Sequence, residues 1–290
     1  MRTHLPRGAA IALLLYAPLS LLPSFPALSS ARGFGQEGVG KPGPKTVPGD
    51  LPWRFPVGER AEYVVTFGPV RVGRGILRVE AIDTVGVRPA YRVAFELRGG
   101  TFFYRVDDRS VSWVAPEPIR SLRFEQRVRE GSYRRHRRYT LNHEAGTYMR
   151  EDWDGARQRF RAVPVDSFPR MPPAALDEIS YLYLVRALPL EVGRTYEFAR
   201  YFQPDGNPVV LEVLRRETVR VPAGRFRTIV VRPVIRTGGL FAEEGRAEVH
   251  LSDDERRVVV LLRTRMRAGE MNLYLRKYDP GRTDGFIARR

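Results

Sequence analysis

Beyond residue 50, apolar and polar positions alternate in short runs separated by Gly, Pro, Asn and Asp, the period of half-buried strands joined by tight turns. "AEYVVTFGPVRVGRGILRVEAID" reads as two strands about Gly68-Pro69. In "AYRVAFELRGG", Tyr91, Val93, Phe95 and Leu97 share one face, and Arg92, Glu96 and Arg98 share the other. "SYRRHRRYTLN" sets Tyr133, Arg135, Arg137, Tyr139 and Leu141 against Arg134, His136, Arg138 and Thr140. "RFRTIVVRPVI", "GRAEVHLSD", "RRVVVLLRTRMRAG" and "EMNLYLRKYD" continue the alternation. The pattern predicts a mainly β chain, folded as a curved antiparallel sheet or a partly open barrel or sandwich. One segment departs from it. "PPAALDEISYLYLVRALPL" puts Leu176, Ile179, Leu182 and Tyr183 at helical spacing between Pro172-Pro173 and Pro189, which predicts one short helix over about 174–187, packed on the concave side of the sheet.

The first 31 residues have another character. Arg2 and Arg7 precede an apolar run from Ala9 to Leu22, broken by Pro18, and Ser29-Ser30-Ala31 supplies small residues. This is the layout of a secretory signal peptide, with cleavage expected near residue 31. "GFGQEGVGKPGPK" follows at 33–45. Its glycines mimic a dinucleotide fingerprint and a phosphate-binding loop, but both motifs need a strand before them and a helix after them. Pro42, Pro44 and Pro48 forbid that helix. Residues 32–50 therefore read as a flexible Gly/Pro linker, and no nucleotide is expected. The remainder reads as one β-rich domain over 51–280 with a short tail, 281–290. "FPVGERAEY" at 55–63 echoes "LEVGRTYEF" at 190–198; either two related β halves meet near 174–190, or Val-Gly is simply a common strand-opening turn, the reading favoured by the sequence.

Composition narrows the function. The 290-residue chain has no cysteine, which excludes disulfides, Cys-type zinc sites and a lipobox anchor. Its net charge is +16, and its arginines are spread along the chain instead of forming one arm. For an exported protein this favours an anionic membrane surface or lipopolysaccharide over nucleic acid. The densest basic run, Arg134, Arg135, Arg137 and Arg138, is the candidate for an anionic partner; carrying charge on both faces, it reads as a solvated edge strand.

Chemistry is thinner. There is no nucleophile elbow, and His136, His143 and His250 are expected at the surface. Asp107-Asp108 and Asp253-Asp254 are adjacent on strands, so their side chains face opposite ways and neither dipeptide makes a catalytic pair by itself. Asp108 is expected to pair an arginine. No metal ligand set, cofactor motif or catalytic residue emerges. The aromatics say more: Phe102, Phe103, Tyr104 and Trp113, with Ile179, Leu182 and Tyr183 from the helix, are candidates to line an apolar ligand cavity.

Five stretches occur in a familiar order: "FPVGERAEYVVTFGPVRVGRGILRVE", "VDDRSVSW", "DEISYLYLVRALPLEVGRTYEF", "ETVRVPAGRFRTIVVRPVI" and "VHLSDDERRVVVLL". Over 53–278 the chain resembles the domain-of-unknown-function 3108 family of bacterial exported proteins. The Val-Pro-Ala-Gly-x-Phe turn at 221–226 and Leu251-Ser252-Asp253-Asp254 are the most specific elements. The resemblance implies export to the periplasm or cell envelope and a β-rich fold, and it brings no catalytic residues. The expected role is a non-enzymatic binding or scaffold protein for an apolar or amphipathic envelope ligand, such as a lipid or lipoprotein. The alternatives are a hydrolase acting on an envelope polymer and an outer-membrane β-barrel.

Overall fold

The computed structural model describes residues 45–46, 55–102, 104–163, 170–234, 247–266 and 269–282. Strand β1 (Lys45–Thr46) precedes a long meander: β2 (Arg60–Phe67), β3 (Val70–Val85), β4 (Arg88–Thr101), β5 (Tyr104–Pro116), β6 (Ile119–Glu130), β7 (Tyr133–Asn142), β8 (Thr147–Asp154) and β9 (Arg159–Ala162). Helix α1 (Glu178–Ala187) follows. A second run then comprises β10 (Thr195–Phe198), β11 (Val209–Val221), β12 (Gly224–Val234), β13 (Glu248–Ser252), β14 (Val259–Met266) and β15 (Gly269–Asp279).

All of these strands belong to one sheet, ordered β1-β10-β11-β12-β13-β14-β15-β2-β3-β4-β5-β6-β7-β8-β9. Every pairing is antiparallel except β1 with β10. The last strand, β15, pairs with β2, so the two runs fuse along one seam. Beside that seam, Val57 bridges Arg282, whose N–H donates to the Val57 carbonyl at 2.8 Å. The sheet has two free ends and does not close into a barrel. Bulges at Val65/Thr66, Val79/Ala81 and Trp113/Val114 bend the long strands and add twist.

The two faces differ as the alternation requires. Ala61, Tyr63, Val65, Leu77, Val79, Val93 and Val114 fill the concave core. The convex face of β3–β5 carries a ladder of paired charges: Arg78 with Glu96 at 2.6 Å, Arg92 with Glu80 at 2.9 Å, and Arg109 with Glu80 at 2.8 Å. Burial alone would raise the Glu80 pKa; Arg109 and Arg78 override it and hold it low. Many of the arginines are thus matched locally. Among the described residues, no helix is long and apolar enough to cross a membrane.

The helix starts later than the expected residue 174. Pro173 and Ala174 form a turn, with Ala174 in a left-handed backbone, and Leu176 then bridges Tyr201 in the β10–β11 connection. Asp177 then caps the helix. Its carboxylate accepts the N–H groups of Ile179 (2.8 Å) and Ser180 (2.9 Å) and the hydroxyls of Ser112 and Ser121 (2.5 Å each). All three partner side chains from 112, 121 and 180 are fully buried. One side chain thus satisfies helix donors and pins the helix to β5 and β6. Phe55 stacks on Tyr91 of β4 and on Tyr183 of α1, centroids 4.8 Å apart in both cases. On its other side, Tyr181 stacks on Phe198 of β10. The helix therefore lies inside the curl, held by both runs.

At the helix C-terminus lies a buried ion pair. Arg186 makes a bidentate contact with Glu59, at 2.6 and 3.0 Å, and donates to the Arg256 carbonyl at 2.9 Å. Tyr183 and Tyr278 donate to the same carboxylate, at 3.2 and 2.9 Å. Burial alone would lower the Arg186 pKa, and Glu59 overrides it and holds the guanidinium charged.

Other differences from the sequence reading have clear causes. Lys45–Thr46, inside the expected linker, pairs with β10, because an edge strand offers open backbone hydrogen bonds. Strand β7 is paired on both sides instead of lying at an edge; Asp152 of β8 matches Arg137 and Glu125 of β6 matches Arg138. His250 is fully buried, not at the surface. Burial, with the like charge of Arg263, pushes its imidazole down to about 4. The two echoed segments adopt one local structure. Gly58 and Gly193 both have positive φ. Gly58 N–H donates to Val79 O and Val79 N–H to Glu59 O; Gly193 N–H donates to Val213 O and Val213 N–H to Arg194 O.

Arg186→Met leaves the Glu59 charge buried and unpaired, and should destabilise the protein by about 3–5 kcal/mol in urea denaturation; adding Glu59→Gln should recover much of that loss. Leu184→Ala, at a fully buried position, should cost about 2–5 kcal/mol. Leu182 is only half-buried, so Leu182→Ala should cost clearly less in the same assay.

Candidate functional site

Helix α1 packs across β4, β5 and β6 at the end marked by Tyr91, Ser112 and Ser121. The other end of the same strands is left uncovered by it. There a shallow open recess is walled by Val65, Val72, Leu97, Tyr104, Val106 and Met271. Its floor is shaped by glycine. Gly73 faces Gly99 across the β3–β4 ladder, and Gly100, at positive φ, lies so close to the Tyr104 carbonyl that a Cβ would collide with it. At Gly131, also with φ positive, a Cβ would sit 2.7 Å from the Tyr104 ring. Glycine at these positions lets β4 turn tightly into β5 and lets the Tyr104 ring lie flat along the β6–β7 turn.

Behind this wall are two buried carboxyl groups. Leu97 is the register partner of Asp108, and Val106 that of Glu130. Asp108 and Glu130 are both buried, and Asp108 Oδ1 accepts the Arg129 backbone N–H at 2.8 Å. Among the described residues, no donor reaches Asp108 Oδ2 or Glu130 Oε1. A proton held between the two side chains satisfies both atoms. Burial and the neighbouring Asp108 charge push the Glu130 pKa up to about 8; Asp108 is also raised, first by burial. The phenol of Tyr104 is pushed up to about 12 by burial and by these two acids. The field of Arg135 counters all of this at Asp108, Glu130 and Glu178. Glu178, in the first helical turn, accepts the Tyr201 hydroxyl at 2.8 Å, and burial with Asp177 lifts its pKa to about 7. The concave face beside the recess thus stores protons at neutral pH.

The expected aromatic lining is only partly assembled. Tyr104 walls the recess. Phe102 stands on the β4–β5 turn, 94% exposed, and Phe103 lies outside the described residues. Trp113 points to the convex face, where its indole donates to Asp83 at 3.0 Å and Arg123 lies over the ring; strand parity separates it from Ser112 and Val114. Ile179 and Tyr183 are buried in the helix packing, and Leu182 borders the core; none of the three walls the recess.

The four arginines divide by parity. Arg134 is exposed and donates to the Gly131 and Tyr133 carbonyls. Arg135 faces the buried acids. Arg137 pairs with Asp152 at 2.9 Å, and Arg138 with Glu125 at 3.2 Å. Asp107 pairs with Arg98 at 3.1 Å, whereas Asp108, expected to meet an arginine, instead joins Glu130. The Asp108–Glu130 pair is cross-strand, which no local spacing reveals; Glu130 at the parity of Phe124 and Val128 on the buried face of β6 is the trace it leaves in the sequence. Among the described residues no group of His, Cys, Asp and Glu has the arrangement of a metal site.

The profile of the DUF3108 family, described as a protein of unknown function, matches residues 62–276. A comparison with the curated proteins finds no match. Among solved structures, a β-barrel-like DUF1849 protein from Brucella abortus is similar at 10% identity, covering 79% of this chain and 99% of that one, with a TM-score of 0.44. A candidate exported protein with a YmcC-like fold from Bacteroides fragilis matches at 12% identity over 79% and 99%, with a TM-score of 0.29. A candidate lipoprotein from Parabacteroides distasonis matches at 10% over 79% and 100%, again at 0.29.

Because the Glu130 pKa is raised from 4.5 to about 8, folding above pH 4.5 requires uptake of a proton, and stability declines as pH rises toward 8. Glu130→Gln removes that requirement. By differential scanning calorimetry it should raise Tm by roughly 3 °C or more at pH 8 and leave it unchanged at pH 4.5.

Proposed function

The chain belongs to the DUF3108 family, and we propose that it is an exported cell-envelope protein that binds an apolar or amphipathic ligand without chemically altering it. The observation that carries this reading is the apolar recess at the end of the concave face that the helix leaves uncovered. A lipid tail is the ligand class such a wall favours, since Val, Leu and Met surfaces gain by excluding water and offer an acyl chain few directional contacts. Export rests on the amino-terminal pattern of charged, apolar and small residues.

The second reading, hydrolysis, draws on the shared proton of Asp108 and Glu130, a device of acid–base catalysis. Against it, both side chains are buried and Asp108 is tied to a backbone N–H, so no water and substrate have common access to them.

The binding reading is tested with a fluorescent fatty acid. The purified protein should bind it, and Val106→Trp, which fills the recess, should weaken binding by about tenfold or more, as loss of roughly 1.4 kcal/mol of apolar contact requires. Absence of binding to fatty acid, lysophospholipid and lipopeptide probes alike would sink it.

A further inference from the structure

In the β2–β7 meander, alternate hairpin turns fall at the same end of the sheet. The β2–β3, β4–β5 and β6–β7 turns form one rim beside the mouth of the recess. Register places Phe67 opposite Val70, Thr101 opposite Tyr104 and Glu130 opposite Tyr133, so neighbouring tips stand two strands, about 10 Å, apart. Each tip shows an apolar or aromatic side chain to solvent: Val70 is 60% exposed, Phe102 94% and Tyr133 42%. Phe102 stands at the crest of its turn, next to Gly100 with its positive φ.

Each tip also carries arginine. Arg71, Arg105 and Arg134 are exposed, and among the described residues no carboxylate pairs with them. The acids at these three tips are withdrawn: Asp107 is matched by Arg98 at 3.1 Å, and Glu130 is buried. The opposite end of the same strands is different. Val87 is 95% exposed there, but Glu117 and Glu144 are exposed beside it, and Glu144 pairs with Arg88. Along β2–β7, exposed arginines with no carboxylate partner among the described residues thus share one end of the strands with exposed apolar side chains.

We propose that this rim docks on the surface of an anionic lipid bilayer, with Phe102 and Val70 entering the interface and Arg71, Arg105 and Arg134 meeting lipid phosphates. A bilayer suits a row of separated tips, because it adapts to the spacing, whereas a protein groove would need a continuous apolar face. Tyrosine at such a depth keeps its hydroxyl in the headgroup layer. The docking goes beyond the recess reading and does not depend on what fills the recess.

Vesicle flotation of the full mature chain tests it. The protein should float with phosphatidylcholine vesicles containing phosphatidylglycerol and not with phosphatidylcholine alone, and added salt should release it. The triple change Arg71→Gln, Arg105→Gln and Arg134→Gln should weaken partitioning by roughly a hundredfold, taking about one fivefold factor per arginine. Phe102→Ser should weaken it, while Val87→Ser and Val106→Trp should float as before. As a second readout, tryptophan placed at Phe102 should be quenched by brominated phosphatidylglycerol, and tryptophan placed at Val87 should not. Failure of the unaltered protein to float with anionic vesicles, or equal quenching at the two poles, overturns the proposal.

Discussion

The Glu59–Arg186 ion pair is the contact on which the rest of the architecture depends. Its carboxylate stands where the chain turns into β2, its guanidinium ends the helix, Tyr278 reaches it from β15, and Arg256 reaches it from the turn between β13 and β14. Four distant parts of the sequence converge on a few buried atoms. Such a pair adds little net stability, because both charges lose their water. What it supplies is selection: any arrangement that slides the helix along the sheet, or unzips β15 from β2, leaves a charge in the core without its counterpart. The helix N-terminus is fixed in the same way by Asp177 with Ser112 and Ser121. With both ends held by polar contacts that have one geometry each, the helix covers one part of the concave face and leaves the other.

The distribution of charge follows from this division. A chain with 49 cationic and 33 acidic residues would be expected to repel itself. Much of that charge is arranged as cross-strand ladders on the convex face, where parity brings Arg and Glu side by side. The excess collects where turns interrupt the ladders. Inside, burial pushes the pKa values of Asp108, Glu130 and Glu178 up and that of His250 down. Acids tend to protonate there and histidine to lose its proton. The interior therefore has an electrostatic state of its own, set against that of the convex surface.

The sheet, its antiparallel sense and the lone helix were legible in the sequence because each depends on local periodicity. The helix start was misjudged because proline pairs favour the first turn in general, whereas here Asp177 has four donors to satisfy and Ala174 takes a left-handed conformation. Strand β7 looked like an edge because its arginines occupy both faces; the matching acids, Glu125 and Asp152, come from strands on either side and appear only once the ladder is assembled. Trp113 and Phe102 were drawn toward the cavity by composition, and strand parity and turn position sent them elsewhere. The Asp108–Glu130 pair is non-local in the strict sense, as it exists only across two hydrogen-bonded strands. The echoed Val-Gly segments were weighed as a common turn, yet their hydrogen bonds superimpose residue for residue, with Glu59 in one and Arg194 in the other.

The seam between β15 and β2, with the Val57–Arg282 bridge beside it, brings the two described ends of the domain into contact. Because β2 runs toward the hairpin tips and β15 runs away from them, both ends emerge at the pole farthest from Phe102. The domain is thus a loop in space that happens to be cut at one corner, the geometry that makes circular permutation feasible. It is also a handle. A load fastened at that corner would not obstruct the opposite pole.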